Sequence, residues 1–383
     1  MKALAGFDVD LPPIVGVETT DYGWRGITYD GEVLEMRSRN GCRPTVPESI
    51  MIRDERTNKY IGSRVVNNDV TDVAAYLSHF SRSAELHREN KNHEALLESN
   101  AAIKIASTLR ARFNRAMINL ALGRWEAGFE EFEWCERFSP FARPRALEAL
   151  AMGLKPWQGQ DLSGKRLLIL HDHGYGDTLM MLRYVPVLKA LGAEIVLCVP
   201  LQLARVAAQF SVVTPTIVEA DYFVSFLHIL RWLKVSPSDV PTGPYIFVDP
   251  LLASEWRDIL GPCDLQRIGL AWSTRVIHEG DFPRTIALEK LLDKFRGDIE
   301  FHSVQIQNHE EAEVHGVKTH DFMDFADCAA LMSTLDVVVS VDTAAIHLAG
   351  AIGHPDATVL LSHWHSWRWN GNPFYSAIRM MEM

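Results

Sequence analysis

The second half of the chain alternates between short apolar runs and segments with helical periodicity. Leucine and β-branched residues dominate the runs, which are RLLIL, EIVLCV, YIFVD, RIGLAW, IEFHSVQ, VVVSVD and TVLLS. Apolar runs of this length, separated by helices, are typical of parallel strands that are covered on both faces. The alternation therefore predicts an α/β fold with doubly wound parallel sheets, in two lobes over residues 151–255 and 256–383.

The region before these lobes predicts two further units. Residues 1–75 contain short β-like pieces, such as GWRGITYDGEVLEM, between turn-forming residues, and they predict a small β-rich unit. Residues 76–150 carry amphipathic helical patterns with few helix-breaking residues. Within them the segment from Ala111 to Trp134 places Gly123 at a turn between two helices, a layout that resembles a tetratricopeptide repeat. An ordinary helical hairpin is the alternative interpretation.

Composition excludes several classes of protein. The 383 residues are 47% apolar and 23% charged, which is typical of a folded globular chain. The net charge of −11 argues against a large nucleic-acid footprint, because such a footprint is built mainly from lysine and arginine. No apolar run reaches the ~20 residues of a membrane span, and the dispersed cysteines form no C-x-x-C pair. We therefore expect free thiols and a cytoplasmic protein without an integral membrane segment.

A glycine-rich loop with a carboxylate follows the first strand of the predicted lobes. In LLILHDHGYGDTLMMLRY a strand runs into Gly174, Gly176 and Asp177 just before a helical pattern begins. Paired glycines at a helix start let a ligand approach the backbone N–H groups, which predicts a phosphate-containing ligand. Because α/β proteins bind ligands at the carboxyl edge of the sheet, Asp177 is the first candidate for a functional carboxylate. The alternative is a helix N-cap, which is worth roughly 1 kcal/mol for Asp.

A second loop of this kind lies in LDVVVSVDTAAIHLAGAIGHP. A strand ends at Asp342 and Thr343, and a helix of small residues begins at Ala344. The exposed N–H groups and the dipole of such a helix start favour a pyrophosphate. His347 lies one helical turn beyond Thr343, and the alternative for it is a satisfied histidine of the core.

A third loop, in GLAWSTRVIHEGDFPRTIALEKL, combines hydroxyl groups with arginines. Ser273 and Thr274 end a strand, and Arg275 and Arg284 follow. Hydroxyl and guanidinium groups suit a diphosphate that no metal neutralises. Solvated surface charges are the alternative for both arginines. No Asp-x-Asp element accompanies the loops, and the two histidines of HWHSW lack further ligands, so the sequence predicts no metal site.

Together the three loops resemble, in order and spacing, the glycosyltransferases of GT-B fold, in particular the bacterial tetratricopeptide-repeat glycosyltransferases related to the heptosyltransferase family, glycosyltransferase family 9. The resemblance covers the chain from about Arg112 to Arg379. Its most specific parts are GRWEAGFEEFEW, PWQGQDLSGKRLLILHDHGYGDTLMMLRYVPVLKALGAEIVL, FADCAALMSTLDVVVSVDTAAIHLAGAIGHP and the closing WRW. It implies two Rossmann-like lobes, with the acceptor side in 151–255 and the nucleotide-sugar donor side in 256–383.

The resemblance also implies a reaction and a set of roles. The reaction is an inverting, metal-independent transfer of a sugar from a nucleotide-sugar donor to an acceptor nucleophile, with Asp177 as the general base and with no further cofactor. The sequence itself does not name the acceptor: a protein or a glycan is expected, and a lipid or a nucleic acid stays open, as does a homo-oligomer. The implied donor-binding residues are Gly174, Gly176, Ser273, Thr274, Arg284, Gln305, Asp342, Thr343, Ala344 and His347.

The chain also departs from the family pattern. Relatives commonly carry Glu-Gln-Gly before the Gly-Asp pair, where this chain has Asp172, His173 and Gly174. A different donor or acceptor is the expected consequence. Two alternatives from other classes stay open: a catalytically silent scaffold that binds a protein through its helices, and a sugar-nucleotide epimerase that needs no acceptor.

Overall fold

A computed structural model of the chain describes residues 14–20, 23–28, 33–37, 49–54, 59–65, 70–107, 109–138, 144–274, 284–305 and 309–383. Part of the predicted β-rich unit over 1–75 and Arg275 of the third loop lie outside these residues. The chain divides into two compact units, Met1–Phe141 and Ala142–Met383.

The first unit contains an antiparallel sheet followed by helices. Each strand pairs with the next one along the chain, in the order β1-β2-β3-β4-β5. The strands are β1 (Ile14–Thr20), β2 (Gly23–Thr28), β3 (Val33–Arg37), β4 (Ser49–Asp54) and β5 (Lys59–Val65). The helices are α1 (Val70–Arg88), α2 (Asn92–Ile105), α3 (Leu109–Ala121) and α4 (Trp125–Phe138).

Small residues let these helices pack closely. A Cβ atom at Gly128 would lie 2.7 Å from the side chain of Leu120, so only glycine fits between α4 and α3 there. Gly123 has a φ of 72°, and it makes the predicted turn between the two helices. Trp125 starts α4 and is buried. The assignment of these helices to tetratricopeptide repeats stays a prediction.

The second unit contains two parallel five-stranded sheets, as predicted from the alternating pattern. The first lobe has the strand order β6-β10-β7-β8-β9, and the second lobe has the order β12-β11-β13-β14-β15. Elements of the first lobe are α5 (Pro144–Ala151), β6 (Lys155–Pro156), β7 (Arg166–Leu170), α6 (Tyr175–Met181), α7 (Val185–Ala190), β8 (Glu194–Cys198), α8 (Leu201–Ala207), β9 (Val212–Thr214), β10 (Tyr222–Ser225) and α9 (Ile229–Trp232). Elements of the second lobe are α10 (Pro250–Leu260), β11 (Gln266–Ala271), α11 (Leu288–Leu292), β12 (Ile299–Ser303), α12 (His309–Val314), α13 (Phe325–Met332), β13 (Val337–Val341), α14 (Ala344–Ile352), β14 (Ala357–Leu361) and β15 (Ile378–Glu382).

The inner strands of both sheets are buried on their two faces, which explains the uninterrupted apolar runs. In β7 the residues from Leu167 to Leu170 are all buried, and every residue of β14 is buried. Helix α5 lies within the predicted helical block of 76–150, yet Ala146 and Ala149 contribute to the core of the first-lobe sheet.

One predicted strand is wrong. The run YIFVD, residues 245–249, forms no strand. The N–H groups of Tyr245 and Ile246 both donate to the carbonyl oxygen of Ala351 in α14, and that of Phe247 donates to the side chain of Gln209. These backbone groups are therefore satisfied without a neighbouring strand.

A buried arginine, Arg183, joins the two lobes. Its guanidinium donates to the carbonyl oxygens of Met180 at 2.9 Å and Phe374 at 2.6 Å, which belong to different lobes. It also donates to the carbonyl of Pro241 at 2.5 Å and lies 4.5 Å from the centre of the Tyr245 ring. Because a buried guanidinium needs partners for its donors, this set of contacts stabilises one arrangement of the lobes.

A second link lies at the surface between α8 and α13. Arg205 of α8 donates from Nε and Nη2 to the two carboxylate oxygens of Asp324, at 2.6 and 2.8 Å. Asp324 is the N-cap of α13 and also accepts from Ala326 N–H. The bidentate geometry gives this pair more orientational specificity than a single contact would.

Replacing Arg183 by Met is expected to destabilise the second unit strongly. The change removes the donors and leaves buried carbonyl oxygens unsatisfied, so we expect the free energy of unfolding to fall by about 1–3 kcal/mol for each carbonyl oxygen that loses its donor. Urea denaturation followed by tryptophan fluorescence measures the loss. Arg257, which is exposed in α10, supplies the control Arg257→Met, for which we expect little change. Equal stabilities for the two variants would contradict the role given to Arg183.

Candidate active site

Two of the three predicted loops meet where α6 packs against α14. The first loop follows β7 and leads into α6, and the second follows β13 and leads into α14. A Cβ atom at Gly176 would lie 2.6 Å from Cδ2 of His347 and 3.4 Å from Cα of Ala344. The absence of a side chain at Gly176 therefore lets a helix of each lobe come into direct contact. The packing of the two helices thus requires a glycine here, independently of the ligand that the sequence predicted for this loop.

Asp177 lies in the first turn of α6 and does not cap the helix. The N-cap is Gly174, so the N-cap interpretation of Asp177 is wrong. Its Oδ1 atom accepts from Nε of Arg368 at 2.7 Å and lies 2.5 Å from Nη2 of the same residue. The side chain of Asp177 is 16% exposed and that of Arg368 is 19% exposed. The carboxylate is thus a largely enclosed ion pair between the two lobes.

The surroundings of Asp177 keep it ionised. Burial raises the pKa of its carboxyl group, but the charge of Arg368 and the neighbouring His173 and His347 outweigh burial and hold the pKa below its usual value. A carboxylate in this state can accept a proton at neutral pH.

Asp342 has a similar environment in the second loop. Its Oδ1 atom lies 3.6 Å from Nε2 of His347, whose Nδ1 atom is 3.1 Å from the hydroxyl of Tyr375. The imidazole also stacks on Trp369, with ring centres 5.3 Å apart. Burial raises the pKa of Asp342, but His347, Trp369 and Arg284 outweigh it and hold the pKa below its usual value.

His347 is therefore a buried, partnered histidine, as the alternative interpretation of the sequence proposed. Its exposed fraction is 4%. The ring lies between Asp342 and Tyr375, which fixes its orientation and links the second loop to the segment before β15. Its predicted contact with a donor stays a prediction.

The third loop is held by Gln305. The side-chain Oε1 of Gln305 accepts from the N–H groups of Trp272 at 2.9 Å and Ser273 at 3.2 Å, and its Nε2 donates to Oγ of Ser273 at 3.1 Å. The N–H of Thr274 donates to Oγ1 of Thr285 at 3.4 Å. Gln305 thus shapes the loop that carries Ser273 and Thr274.

Arg284 belongs to the same region as the second loop, because its charge is among the influences that lower the pKa of Asp342. Thr343 is the N-cap of α14, and its Oγ1 lies 3.1 Å from Oγ of Ser340. Ala344 starts the helix and is only half-buried. The start of α14 is therefore less buried than the residues from Ala345 to Ala351.

A cluster of polar residues surrounds the first loop. Oγ of Ser225, at the end of β10, donates to Asp172 at 2.6 Å. Nδ1 of His171 lies 2.7 Å from the hydroxyl of Thr178. Burial, with a smaller effect of the Arg145 charge, lowers the pKa of His171 to about 4, so this imidazole is neutral at physiological pH.

The sequence interpretation did not assign a role to Arg368, Trp369 or Tyr375. The closing WRW was noted only as part of a resemblance. Arg368 and Asp177 are 191 residues apart, so periodicity and local motifs contain no signal for their pairing. The position of Arg368 between two tryptophans is the one local indication that its guanidinium is held in a fixed orientation.

The described residues show neither a metal-ligand cluster nor a membrane-spanning helix. Within those ranges, no group of three or more His, Cys, Asp or Glu side chains is arranged to hold a metal ion. None of the helices in the described part combines the length and the apolar character needed to cross a bilayer. Among the described thiols, Cys198, Cys263 and Cys328 are free.

Comparison with known proteins finds a curated relative and several solved structures. No protein-family model matches the sequence. The chain is 28% identical over 305 residues to protein FlbA of Caulobacter vibrioides, an alignment that covers 69% of this chain and 50% of FlbA. This chain therefore spans about half the length of that relative.

Two of the solved structures are glycosyltransferases. One is a glycosyl transferase family 9 protein from Veillonella parvula, with a TM-score of 0.42, 12% identity, and coverage of 59% of this chain and 88% of that chain. The other is the ADP-heptose LPS heptosyltransferase II of E. coli, with a TM-score of 0.37, 11% identity, and coverage of 56% of this chain and 90% of that chain.

Replacing Gly176 by Ala tests the contact between the two loops. The new methyl group meets His347, which Trp369 and Tyr375 hold in place, so relief requires a shift of α6. We expect the free energy of unfolding to fall by about 1–3 kcal/mol through overpacking. Gly243→Ala is the matched control, since a Cβ atom there meets no atom within 4 Å. A Gly176→Ala variant as stable as the control in thermal unfolding would show that the helices are not tightly packed.

Proposed function

We propose that this protein is an inverting, metal-independent glycosyltransferase that moves a sugar from a nucleotide-sugar donor to an acceptor nucleophile, with Asp177 as the general base. The observation that carries the proposal is the junction of α6 and α14. An ionised, largely enclosed carboxylate from one parallel-sheet lobe lies there beside the half-buried helix start of the other. The three sequence loops that resemble the transferases support the same reaction.

Asp177 has the properties of a base that acts on an acceptor. Its carboxylate is ionised and largely enclosed, and its Oδ1 atom is held by Arg368. In the proposed step, the acceptor oxygen attacks the anomeric carbon while its proton passes to Asp177. The bond from that carbon to the nucleotide diphosphate breaks on the opposite face, so the configuration inverts. General-base help of this kind contributes typically about 10² to 10⁴ in rate.

The leaving diphosphate is stabilised by the second and third loops in this proposal. The backbone N–H groups at the start of α14, near Thr343 and Ala344, lie at the positive end of the helix dipole. They would therefore donate hydrogen bonds to the negatively charged diphosphate. Hydroxyl groups of Ser273 and Thr274 and the guanidinium of Arg284 add donors and positive charge. Fixed donors aimed at developing charge stabilise a transition state, since they need little reorganisation during the reaction.

Within this proposal the carboxylate of Asp342 is not a phosphate ligand. It is negatively charged and buried against His347, so it would repel a diphosphate. Its role is to orient the imidazole and the start of α14. Asp342 thus belongs to the donor site through its effect on the shape of the second loop. The donor itself contacts the backbone N–H groups that follow Asp342.

A protein or a glycan is the proposed acceptor. The support is the predicted repeat spacing of α3 and α4, since stacked helical repeats commonly bind extended peptides. The departure from the family pattern at Asp172 and His173 favours an acceptor or donor other than those of better-known relatives.

The proposal is tested with a panel of nucleotide sugars and with the variant Asp177→Asn. Wild-type protein is incubated with each donor and with lysate-derived protein and glycan acceptors, and products are identified by mass spectrometry. For the donor that is used, we expect Asp177→Asn to lower the rate of transfer by about 10² to 10⁴. Donor affinity should stay within a few fold, because the base acts on the acceptor.

Three outcomes would contradict the proposed function. Unchanged turnover in Asp177→Asn would exclude the base. Donor binding without transfer to any acceptor would favour the silent scaffold. Conversion of the donor into an isomer without an acceptor would favour an epimerase.

A chelator is expected to leave activity intact. The leaving group is met by Arg284, hydroxyl groups and backbone N–H groups in the proposal, so no divalent cation is required. Initial rates are measured after dialysis against EDTA and again after addition of Mg²⁺ or Mn²⁺. Loss of activity that either cation restores would contradict metal independence.

A further inference from the structure

Arg368 is fixed from three sides. Nε and Nη2 of its guanidinium contact Asp177, and Nη1 donates to Oγ of Ser366 at 3.0 Å. The guanidinium carbon lies 4.8 Å from the centre of the Trp367 ring. Ser366 is itself buried. Arg368 is therefore held in place by contacts within its own loop of the second lobe, in addition to its contact with the carboxylate of Asp177 in the first lobe.

The contact with Asp177 is one-sided. Both close nitrogens of Arg368 lie on Oδ1, whereas a bidentate pair would use one nitrogen for each oxygen. Among the described residues, no hydrogen-bond partner is found for Oδ2. That oxygen faces Gly174, since a Cβ atom added there would lie 3.6 Å from it. The two oxygens of one carboxylate thus have different surroundings.

We infer that Arg368 is a positioning residue, which anchors Oδ1 of Asp177 so that Oδ2, on the side of Gly174, is the oxygen that accepts the acceptor's proton. The inference rests on the proposed function and adds to it a specific oxygen and a specific partner. In the step, the acceptor O–H bond breaks, its proton forms a bond to Oδ2, and its electron pair forms the new glycosidic bond. The nucleotide diphosphate leaves with the electrons of the broken bond.

Several charged or titratable groups face Asp177 from the elements around it. Arg368 approaches from the loop before β15, His171 and His173 belong to the loop before α6, and His347 lies on α14. An arginine side chain keeps its positive charge over the pH range of an assay, so it attracts a nearby carboxylate equally at each pH. Removal of its charge therefore weakens the preference for the ionised form at every pH, and the carboxylate should take up its proton at a higher pH than in wild type.

The experiment compares Arg368→Met, Arg368→Lys and the matched control Arg379→Met. Arg379 also pairs with an aspartate of the second lobe, Asp356, but its side chain is 64% exposed. For Arg368→Met we expect kcat to fall by about 10²-fold, as for a misplaced catalytic group. We also expect the acid limb of kcat/KM to move to higher pH. Arg368→Lys should keep the acid limb near its wild-type position and recover part of kcat, and Arg379→Met should behave as wild type.

A second variant tests the assignment of Oδ2. Gly174 has φ −68° and ψ 160°, which alanine adopts without strain, and the added methyl group would make an ordinary contact with Oδ2. We therefore expect Gly174→Ala to fold normally and to raise the acceptor KM or lower kcat. Wild-type kinetics in this variant would contradict the assignment of Oδ2.

Two results would overturn the role of Arg368. An acid limb that does not move in Arg368→Met, combined with a raised donor KM, would make Arg368 a ligand of the donor. Full activity in Arg368→Met would exclude a positioning role.

A direct titration separates failure of this inference from failure of the proposed function. The carboxyl carbon of Asp177 is observed by NMR in ¹³C-aspartate-labelled protein and assigned by its absence in Asp177→Asn. We expect it to titrate at a higher pH in Arg368→Met than in wild type, whether or not a sugar is transferred. If the wild-type protein transfers no sugar but the titration of Asp177 differs between wild type and Arg368→Met, the proposed reaction is contradicted and the ion pair is supported. An unchanged titration contradicts the pair in either case.

Discussion

The close approach of α6 and α14 at Gly176 is the constraint on which the rest of the site depends. Any side chain at this position would collide with His347, whose ring is already enclosed by Trp369 and Tyr375. Because the two helices belong to different lobes, their contact brings the ends of β7 and β13 together. Asp177 follows Gly176 directly, so the same contact sets where its carboxylate meets the second lobe.

Electrostatics explain why the junction can hold two largely enclosed carboxylates. Burial alone would raise the pKa of both Asp177 and Asp342 and favour their neutral forms. Arg368 compensates the first and His347 chiefly compensates the second. Each carboxylate thus has a separate basic partner, and both partners, Arg368 and His347, belong to the second lobe. Arg183, which is satisfied by carbonyl oxygens of both lobes, stabilises the arrangement in which these pairs form.

The parts of the fold that the sequence predicted well are those with repeated local patterns. Strands β7, β8, β11, β12, β13 and β14 were recognisable because parallel strands buried on both faces need unbroken apolar runs. The sequence interpretation did not find β6, β9, β10 or β15. Strands β6, β9 and β10 have only two, three and four residues, and β15 is exposed after its first residue. It predicted a strand at YIFVD because the composition is strand-like, but the N–H groups of Tyr245 and Ile246 donate to α14. Composition indicates burial, and it does not reveal which partner satisfies the backbone.

The sequence by itself determined the class of fold and the loops of the site. Asp342 directly follows β13, Ser273 lies in the loop after β11, and Asp177 lies at the start of the helix after β7. Local order alone places such residues at the carboxyl edge of a parallel sheet. The tertiary structure alone decided how these residues act on one another. The pairing of Asp177 with Arg368, the enclosure of His347 and the hold of Gln305 on the third loop join residues far apart in the chain. Such contacts arise from the packing of one lobe or one strand against another, and a local pattern cannot encode them because it extends over only a few residues.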